Sequence, residues 1–235
     1  MRVLAIGNSF TDNASKFIAG IIEAGGLPMD YRKATIGGKT VQDHCEMMES
    51  GEARYGGESL GDLIDKGWDA VVLQQQSAMS AQAETWQPWS DKIVARVREK
   101  SPDAKIVFYQ TWGYRAENSK LETVLGGMTQ SQMLDAIKAN CENLSKTYDG
   151  GVLPVGEAFR IMQELTGDET GETTRLNDGS SHACPLGEFI AGMIFWSYFT
   201  GGDVDNLNLN PAPELIRDAD IPTAKRAVKL ALGKE

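Results

Sequence analysis

The sequence predicts an α/β fold: one domain over residues 1–235, built on a five-stranded parallel sheet with helices on both faces. Three observations predict it. Short apolar runs alternate with stretches of helical periodicity from end to end, the pattern of strand–helix–strand units. At 235 residues, 41% hydrophobic and 24% charged, the chain is long enough to bury a sizeable core. No internal repeat and no Pro- or Ser-rich linker interrupts it.

The elements follow in order. Residues 3–6 form a buried-strand run that stops at Gly7-Asn8-Ser9. Asp12 or Asn13 can cap a helix to about Ala24, and Gly25-Gly26 can end it. Residues 31–36 read as a second strand closing on Gly37-Gly38, residues 40–49 as a helix, and the Gly-rich stretch 51–61 as a loop. Residues 69–73 make a third strand, which runs into Gln74-Gln75-Gln76-Ser77. Pro88 opens a helix reaching about Lys100, and residues 105–109 are a fourth strand ending near Trp112. A helix over 129–147 precedes a short fifth strand at 152–155 and a helix at 156–165. Polar residues fill 166–181, a buried helix covers 185–198, and an amphipathic helix closes the chain at 223–232.

Composition excludes several functions. Lys plus Arg number 23 against 33 Asp plus Glu, a net charge of −10. Phosphate backbones and anionic lipid heads repel such a chain, so neither nucleic acid nor a membrane is an expected partner. Cys45, Cys141 and Cys184 form no C-x-x-C pair, and His44 and His182 are too few for a three-His metal site. No metal and no cofactor is expected. Arg2 is followed by only four apolar residues, short of a signal-peptide core, and the apolar stretch 186–199 carries Glu188 and is too short to span a bilayer. The chain therefore reads as soluble: cytoplasmic as written, periplasmic or secreted if a leader has been removed. Oligomeric state is left open.

In open α/β sheets ligands bind beyond the carboxyl ends of the strands. The residues there are Ser9, Gly37-Gly38, Gln76 and Trp112, with Asp178 and His182 in the polar loop after the fifth strand. Ser9 at a strand-to-helix turn suits a nucleophile beside backbone N–H donors, although a serine there also serves as a plain helix cap. His182 suits its general base, with Asp178 to hold the ring. His44, inside the helix at 40–49, reads as a solvated or core-edge residue.

These blocks resemble the SGNH/GDSL hydrolase superfamily. Gly7-Asn8-Ser9 stands where that superfamily has Gly-Asp-Ser, and Gly38-Lys39-Thr40 resembles its second block. Residues 72–77, Val-Leu-Gln-Gln-Gln-Ser, fall where the third has Gly-x-Asn-Asp, and residues 178–182, Asp-Gly-Ser-Ser-His, resemble the last. Gly-Asn-Ser-Phe-Thr with Leu-Gln-Gln-Gln-Ser looks like one branch, found in bacterial proteins and some carbohydrate esterases. Two departures stand out: Gln76 replaces the asparagine, and the Asp–His spacing is one residue longer.

The resemblance implies a flavodoxin-like three-layer α/β/α sandwich and a serine esterase. Ser9, His182 and Asp178 would be catalytic, with the Ser9 and Gly38 N–H groups and the Gln76 amide as oxyanion hole. The expected substrate is a small-molecule or oligosaccharide ester, acetyl foremost. Trp86, Trp89 and Trp112 are candidates for stacking on sugar rings, though each equally suits core packing. The competing readings are an esterase or lipase acting on non-sugar esters, a non-catalytic carbohydrate-binding domain on the same fold, and a phosphate binder using the turn at 8–11.

Overall fold

The computed structural model describes residues 1–168 and 176–235. Part of the polar loop read at 166–181 lies outside the described residues. The strands are β1 (Arg2–Gly7), β2 (Asp30–Thr35), β3 (Ala70–Leu73), β4 (Lys105–Tyr109) and β5 (Gly151–Leu153). The helices are α1 (Ser9–Ser15), α2 (Ile18–Gly25), α3 (Val41–Ser50), α4 (Leu60–Ile64), α5 (Trp89–Lys100), α6 (Lys120–Thr123), α7 (Gln130–Thr147), α8 (Val155–Thr166), α9 (Pro185–Thr200) and α10 (Ile221–Ala231). The sheet has five strands in the order β2-β1-β3-β4-β5, that of the flavodoxin-like α/β/α class. Chain contacts divide the molecule into two compact units.

The first unit holds Met1–Asp12, Asp30–Tyr109 and Ala136–Val152. Its strands pair in parallel, with Gly7 opposite Thr35, Ile6 opposite Leu73 and Leu73 opposite Phe108. Their carboxyl ends are therefore level, and the turns after β1, β2 and β3 leave one edge together. Val3, Leu4, Ala5, Val71, Val72, Ile106 and Val107 are wholly buried, as strands covered on both faces require. Helix α5 buries Ser90, Ile93, Val94 and Val97, spaced by three and four residues along one stripe. In α3, Thr40 accepts from the Asp43 N–H while the Asp43 carboxylate accepts from the Thr40 N–H, a capping box that fixes where the helix starts.

The second unit holds Asn13–Met29, Gln110–Asp135 and Leu153–Glu235. Helix α9 starts on Pro185 and is apolar nearly all round, so it is buried against α2, α8 and α10. Its Trp196 ring lies on Gly25, where a Cβ would stand 2.2 Å from a ring carbon. Among the described residues, no helix of the chain is long and apolar enough to cross a membrane.

Two expectations give way. The helix expected over 12–24 is two helices, and α1 already begins at Ser9. Asn8 makes the turn: its Oδ1 accepts from the Phe10 N–H and its carbonyl from the Asp12 N–H. Asp12 instead takes Thr35 and Lys33, and Asn13 takes Glu188, so neither acts as a cap. The stretch read as a loop at 51–61 ends in α4, capped by Ser59 with Asp62.

Candidate active site

The first unit carries the turn that bears Ser9. Ser9 is the first residue of α1 and half-buried, directly after the buried Asn8. The turn is held by side-chain amides. Gln74 Oε1 accepts from the Asn8 N–H at 2.8 Å and from Thr11 Oγ1 at 3.1 Å. Asn8 Nδ2 donates to the Lys39 carbonyl at 3.0 Å, tying this turn to the one after β2. Gln75 Oε1 accepts from the Val41 and Gln76 N–H groups at 2.9 and 2.8 Å, and its Nε2 donates to the Thr85 carbonyl. Asn8, Thr11, Gln74 and Gln75 are all at most 2% exposed. Buried carboxamides that satisfy each other's backbone groups fix a loop more firmly than exposed ones.

Two donors on these turns stay open. Gln76 Oε1 accepts from the Ala78 and Met79 N–H groups at 3.0 and 3.1 Å, which aims the amide and leaves Nε2 without a partner among the described residues. Gly38 has φ +73°, a conformation that favours glycine, and its N–H has no partner among the described residues.

His44 is not the solvated or core-edge residue its helix position predicts. It is wholly buried, with Nε2 2.8 Å from the Gly7 carbonyl and Nδ1 2.6 Å from Tyr55 Oη. Burial pushes its pKa down to about 4. A carbonyl oxygen only accepts, so the neutral ring carries its proton on Nε2 and Nδ1 accepts from the tyrosine. Both nitrogens are occupied, which removes His44 as a general base.

The second unit carries the histidine loop. Asp178 N–H donates to the His182 carbonyl, Asn177 bridges to Ala183, and Cys184 N–H donates to the Leu176 carbonyl. Residues 178–182 thus form a closed turn with His182, half-buried, at its end. Asp178 Oδ1 accepts from Ser180 Oγ and from the Ser181 and His182 N–H groups, at 2.7, 2.7 and 2.8 Å. Partial burial opposes the charge, but these bonds, together with the charge interaction with His182, outweigh it and hold the carboxyl below the usual carboxylate range. Two of the bonds come from loop backbone N–H groups and one from the Ser180 hydroxyl; the extra residue between Asp178 and His182 is taken up by this turn.

Ser181 sits at φ 141°, a strained value for a non-glycine residue, immediately before His182. Its carbonyl accepts from Trp112 Nε1 at 2.8 Å, and the Ser180 carbonyl accepts from Asn118 Nδ2 at the same distance. Beyond the loop, Asn13 accepts from the Ala183 N–H and donates to Glu188, whose buried carboxylate also pairs with Lys16 at 2.8 Å.

The tryptophans divide differently from the expectation. Trp86 is 1% exposed, edge-on to Phe108, so it has no face to offer a sugar: it is core. Trp112 is as deeply buried, stacked on Phe159 at 4.9 Å while its N–H holds the histidine loop. It borders a cavity of about 460 Å³ together with Leu134, Phe159, Gln163, Leu176 and Asn177. Trp89 is half-exposed, with the Lys92 ammonium 5.4 Å from its ring centre. Among the described residues, no three His, Cys, Asp or Glu side chains are grouped to hold a metal.

The sequence discloses neither the clamping roles of Gln74, Gln75 and His44 nor the bracing by Asn118. The one available signal was the polarity of Gln74-Gln75 directly after an apolar strand, where burial makes an amide a structural clamp.

A family model described as a domain of unknown function, DUF4886, matches residues 58–231. It includes Gln76, Asp178 and His182. The crystal structure of a DUF4886 family protein from Bacteroides uniformis is similar over 100% of this chain and 96% of that one, with TM-score 0.83 and 20% identity. An SGNH hydrolase candidate from Slackia heliotrinireducens aligns over 86% of this chain and 99% of its own, with TM-score 0.62 and 24% identity. An acetylxylan esterase from Geobacillus stearothermophilus aligns over 92% and 96%, with TM-score 0.55 and 13% identity. No curated protein matches the sequence. At these identities the likeness to solved structures is one of fold. With well over half its length matched by that model, the chain belongs to the DUF4886 family, on a fold it shares with SGNH-type hydrolases and acetylxylan esterases.

Proposed function

We propose that this protein is a serine ester hydrolase that removes small acyl groups, acetyl foremost, from carbohydrate. Ser9 Oγ attacks the ester carbonyl carbon and forms the acyl–oxygen bond. His182 takes the serine proton and returns it to the departing alcohol as the ester C–O bond breaks. Water, deprotonated by the same imidazole, then releases the acid. The Ser9 and Gly38 N–H groups and Gln76 Nε2 stabilise the oxyanion, which such donors do by roughly 3–4 kcal/mol each.

One observation carries this reading. The turn bearing Ser9 is locked by buried amides, while two turns leaving the same sheet edge keep donors uncommitted at Gly38 and Gln76. A turn serving only to cap a helix needs neither. The acetylxylan esterases among the fold neighbours support the acetyl–carbohydrate assignment. Asp178 Oδ1 orders the loop backbone, and the charge of the carboxylate also acts on His182, so Asp178 supports the Ser9–His182 pair from within the loop. Of the three tryptophans, Trp89 has the half-exposed ring suited to a sugar.

The test is acetate release from a panel of acetylated mono- and oligosaccharides, with an acetyl aryl ester as general substrate and Ser9→Ala as control. Release by the native chain and none by Ser9→Ala is expected. The engagement of Asp178 with backbone favours one second reading, a domain that binds acylated glycans without turnover. Fluorophosphonate labelling of Ser9 separates the two, since only an activated serine is labelled.

A further inference from the structure

We infer that His44 and Gln74 are positioning residues that grip the two edges of a single peptide plane and thereby aim the Ser9 N–H of the oxyanion hole. The inference rests on the hydrolase reading above and extends it to groups that never reach substrate.

The plane is the Gly7–Asn8 peptide. Its carbonyl accepts from His44 Nε2 at 2.8 Å and from the Ile36 N–H at 3.2 Å. Its N–H donates to Gln74 Oε1 at 2.8 Å. His44 comes from α3 and Gln74 from the end of β3, so the two grips are independent in the fold. Each is itself held. Tyr55 Oη sits 2.6 Å from His44 Nδ1 and selects the tautomer that donates to Gly7. Gln74 Oε1 takes Thr11 Oγ1 as a second donor, and its Nε2 donates to the Gln75 carbonyl.

Gly7 makes the approach feasible. A Cβ there would stand 2.4 Å from both Gln74 Oε1 and Thr11 Oγ1 and 2.9 Å from Gln74 Cβ. The glycine is needed for this clamp, since any side chain would push the amide away.

Two backbone torsions, those of Asn8, separate the gripped plane from the next one, whose N–H belongs to Ser9. Asn8 has no slack of its own. Its Nδ2 donates to the Lys39 carbonyl at 3.0 Å and its Oδ1 accepts from the Phe10 N–H at 3.1 Å. The direction of the Ser9 N–H is thus set before substrate arrives. Preorganised donors cost no reorganisation when charge develops, and a small misplacement can cost about 100-fold in rate.

The test compares His44→Leu with His44→Gln, and Gln74→Met with Gln74→Glu, on one acetyl ester. A glutamine places its amide nitrogen about where Nε2 lies, and a glutamate keeps the acceptor for the Asn8 N–H while giving up the bond to the Gln75 carbonyl, so each conservative variant keeps its contact with the Gly7–Asn8 peptide. Expected is a fall in kcat of about 10–100-fold for His44→Leu and Gln74→Met, with KM within about threefold. Affinity for a boronic acid that forms a tetrahedral adduct on Ser9 should fall by the same factor. His44→Gln and Gln74→Glu should recover most of both. A merely structural role would lower Tm in all four variants without tracking the boronate affinity. Normal kcat in His44→Leu and Gln74→Met, or a loss confined to KM, overturns the clamp while inactive Ser9→Ala still upholds the hydrolase. Full activity in Ser9→Ala removes the hydrolase reading itself. If His44→Leu does not fold, the Gln74 pair decides.

Discussion

The turn that bears Ser9 and the loop that bears His182 are held in place by different means. The turn at residues 7–11 is fixed by Gln74 and His44, far away in sequence, on its Gly7–Asn8 peptide, and by its own Asn8 reaching the turn after β2. All three are at most 2% exposed. The loop at 178–182 is fixed from within, by an exposed Asp178 carboxylate on its own backbone, with Trp112 and Asn118 bracing two carbonyls from outside. A buried network tolerates little change, because removing one partner strands the other away from water. An exposed carboxylate on loop N–H groups is more forgiving, because water can replace it. On the proposed reading, oxyanion donors need fixed direction more than a proton shuttle does, and the buried network holds the turn proposed to carry them.

The largest expected effects break each region at its reactive group. Ser9→Ala and His182→Ala should each lower ester hydrolysis by about 10⁴-fold or more, with Tm unchanged. Removing both should cost little beyond one, because nucleophile and base act as a unit; clear additivity in the double variant would contradict the pairing. Gln76→Ala should lower kcat by about 10²–10³ with little change in KM. A change in KM alone would make Gln76 a substrate-binding residue instead.

Asp178 sharpens the contrast. A carboxylate that orients an imidazole ring loses about 10⁴ in kcat when replaced by its amide. Here the working oxygen, Oδ1, accepts from the loop, and asparagine keeps such an acceptor. Asp178→Asn should therefore stay within about tenfold of the native rate, and Asp178→Ala should fall below it as the turn loosens. A loss near 10⁴ in Asp178→Asn would restore the ring-orienting role.

The smallest effect concerns stability. Burial holds the His44 pKa near 4, helped by Lys39 and opposed by the Gly7 hydrogen bond and by Asp43, while the unfolded chain titrates near 6.5. Between those values the unfolded state binds the extra proton, so stability falls as pH drops from about 6.5 to 4 and levels below. The full gap corresponds to roughly 3 kcal/mol. Urea unfolding at pH 7, 6, 5 and 4 should show that slope in the native chain and its loss in His44→Gln. An unchanged slope would place the acid sensitivity elsewhere.

Much of the sheet is legible in the sequence because β1, β3 and β4 are continuous apolar runs, and burial on both faces demands nothing else. Ser9, Gly38, Gln76 and His182 stand out in the sequence as candidates because each follows a strand or sits in a polar loop. What holds them does not. Gln74 and His44 act on Gly7 and Asn8 across 66 and 37 residues of sequence. A lone histidine in an amphipathic helix looks the same whether its ring meets water or a buried carbonyl. Trp86 and Trp112 mislead for a related reason: aromatic rings near strand ends suit sugar and core equally, and only their 1% exposure separates the two. The start of α1 was masked by Asp12 and Asn13, good caps in isolation whose side chains are committed to Thr35, Lys33 and Glu188.

The most direct measurement is the rate of fluorophosphonate labelling, with peptide mapping of the modified residue, in the native chain, Ser9→Ala, His182→Ala and His44→Leu. Modification is expected at Ser9 alone, with none in Ser9→Ala, and labelling slowed strongly in His182→Ala and about 10–100-fold in His44→Leu. Labelling at another residue, or a native chain inert to the reagent while fully folded, would contradict the hydrolase reading.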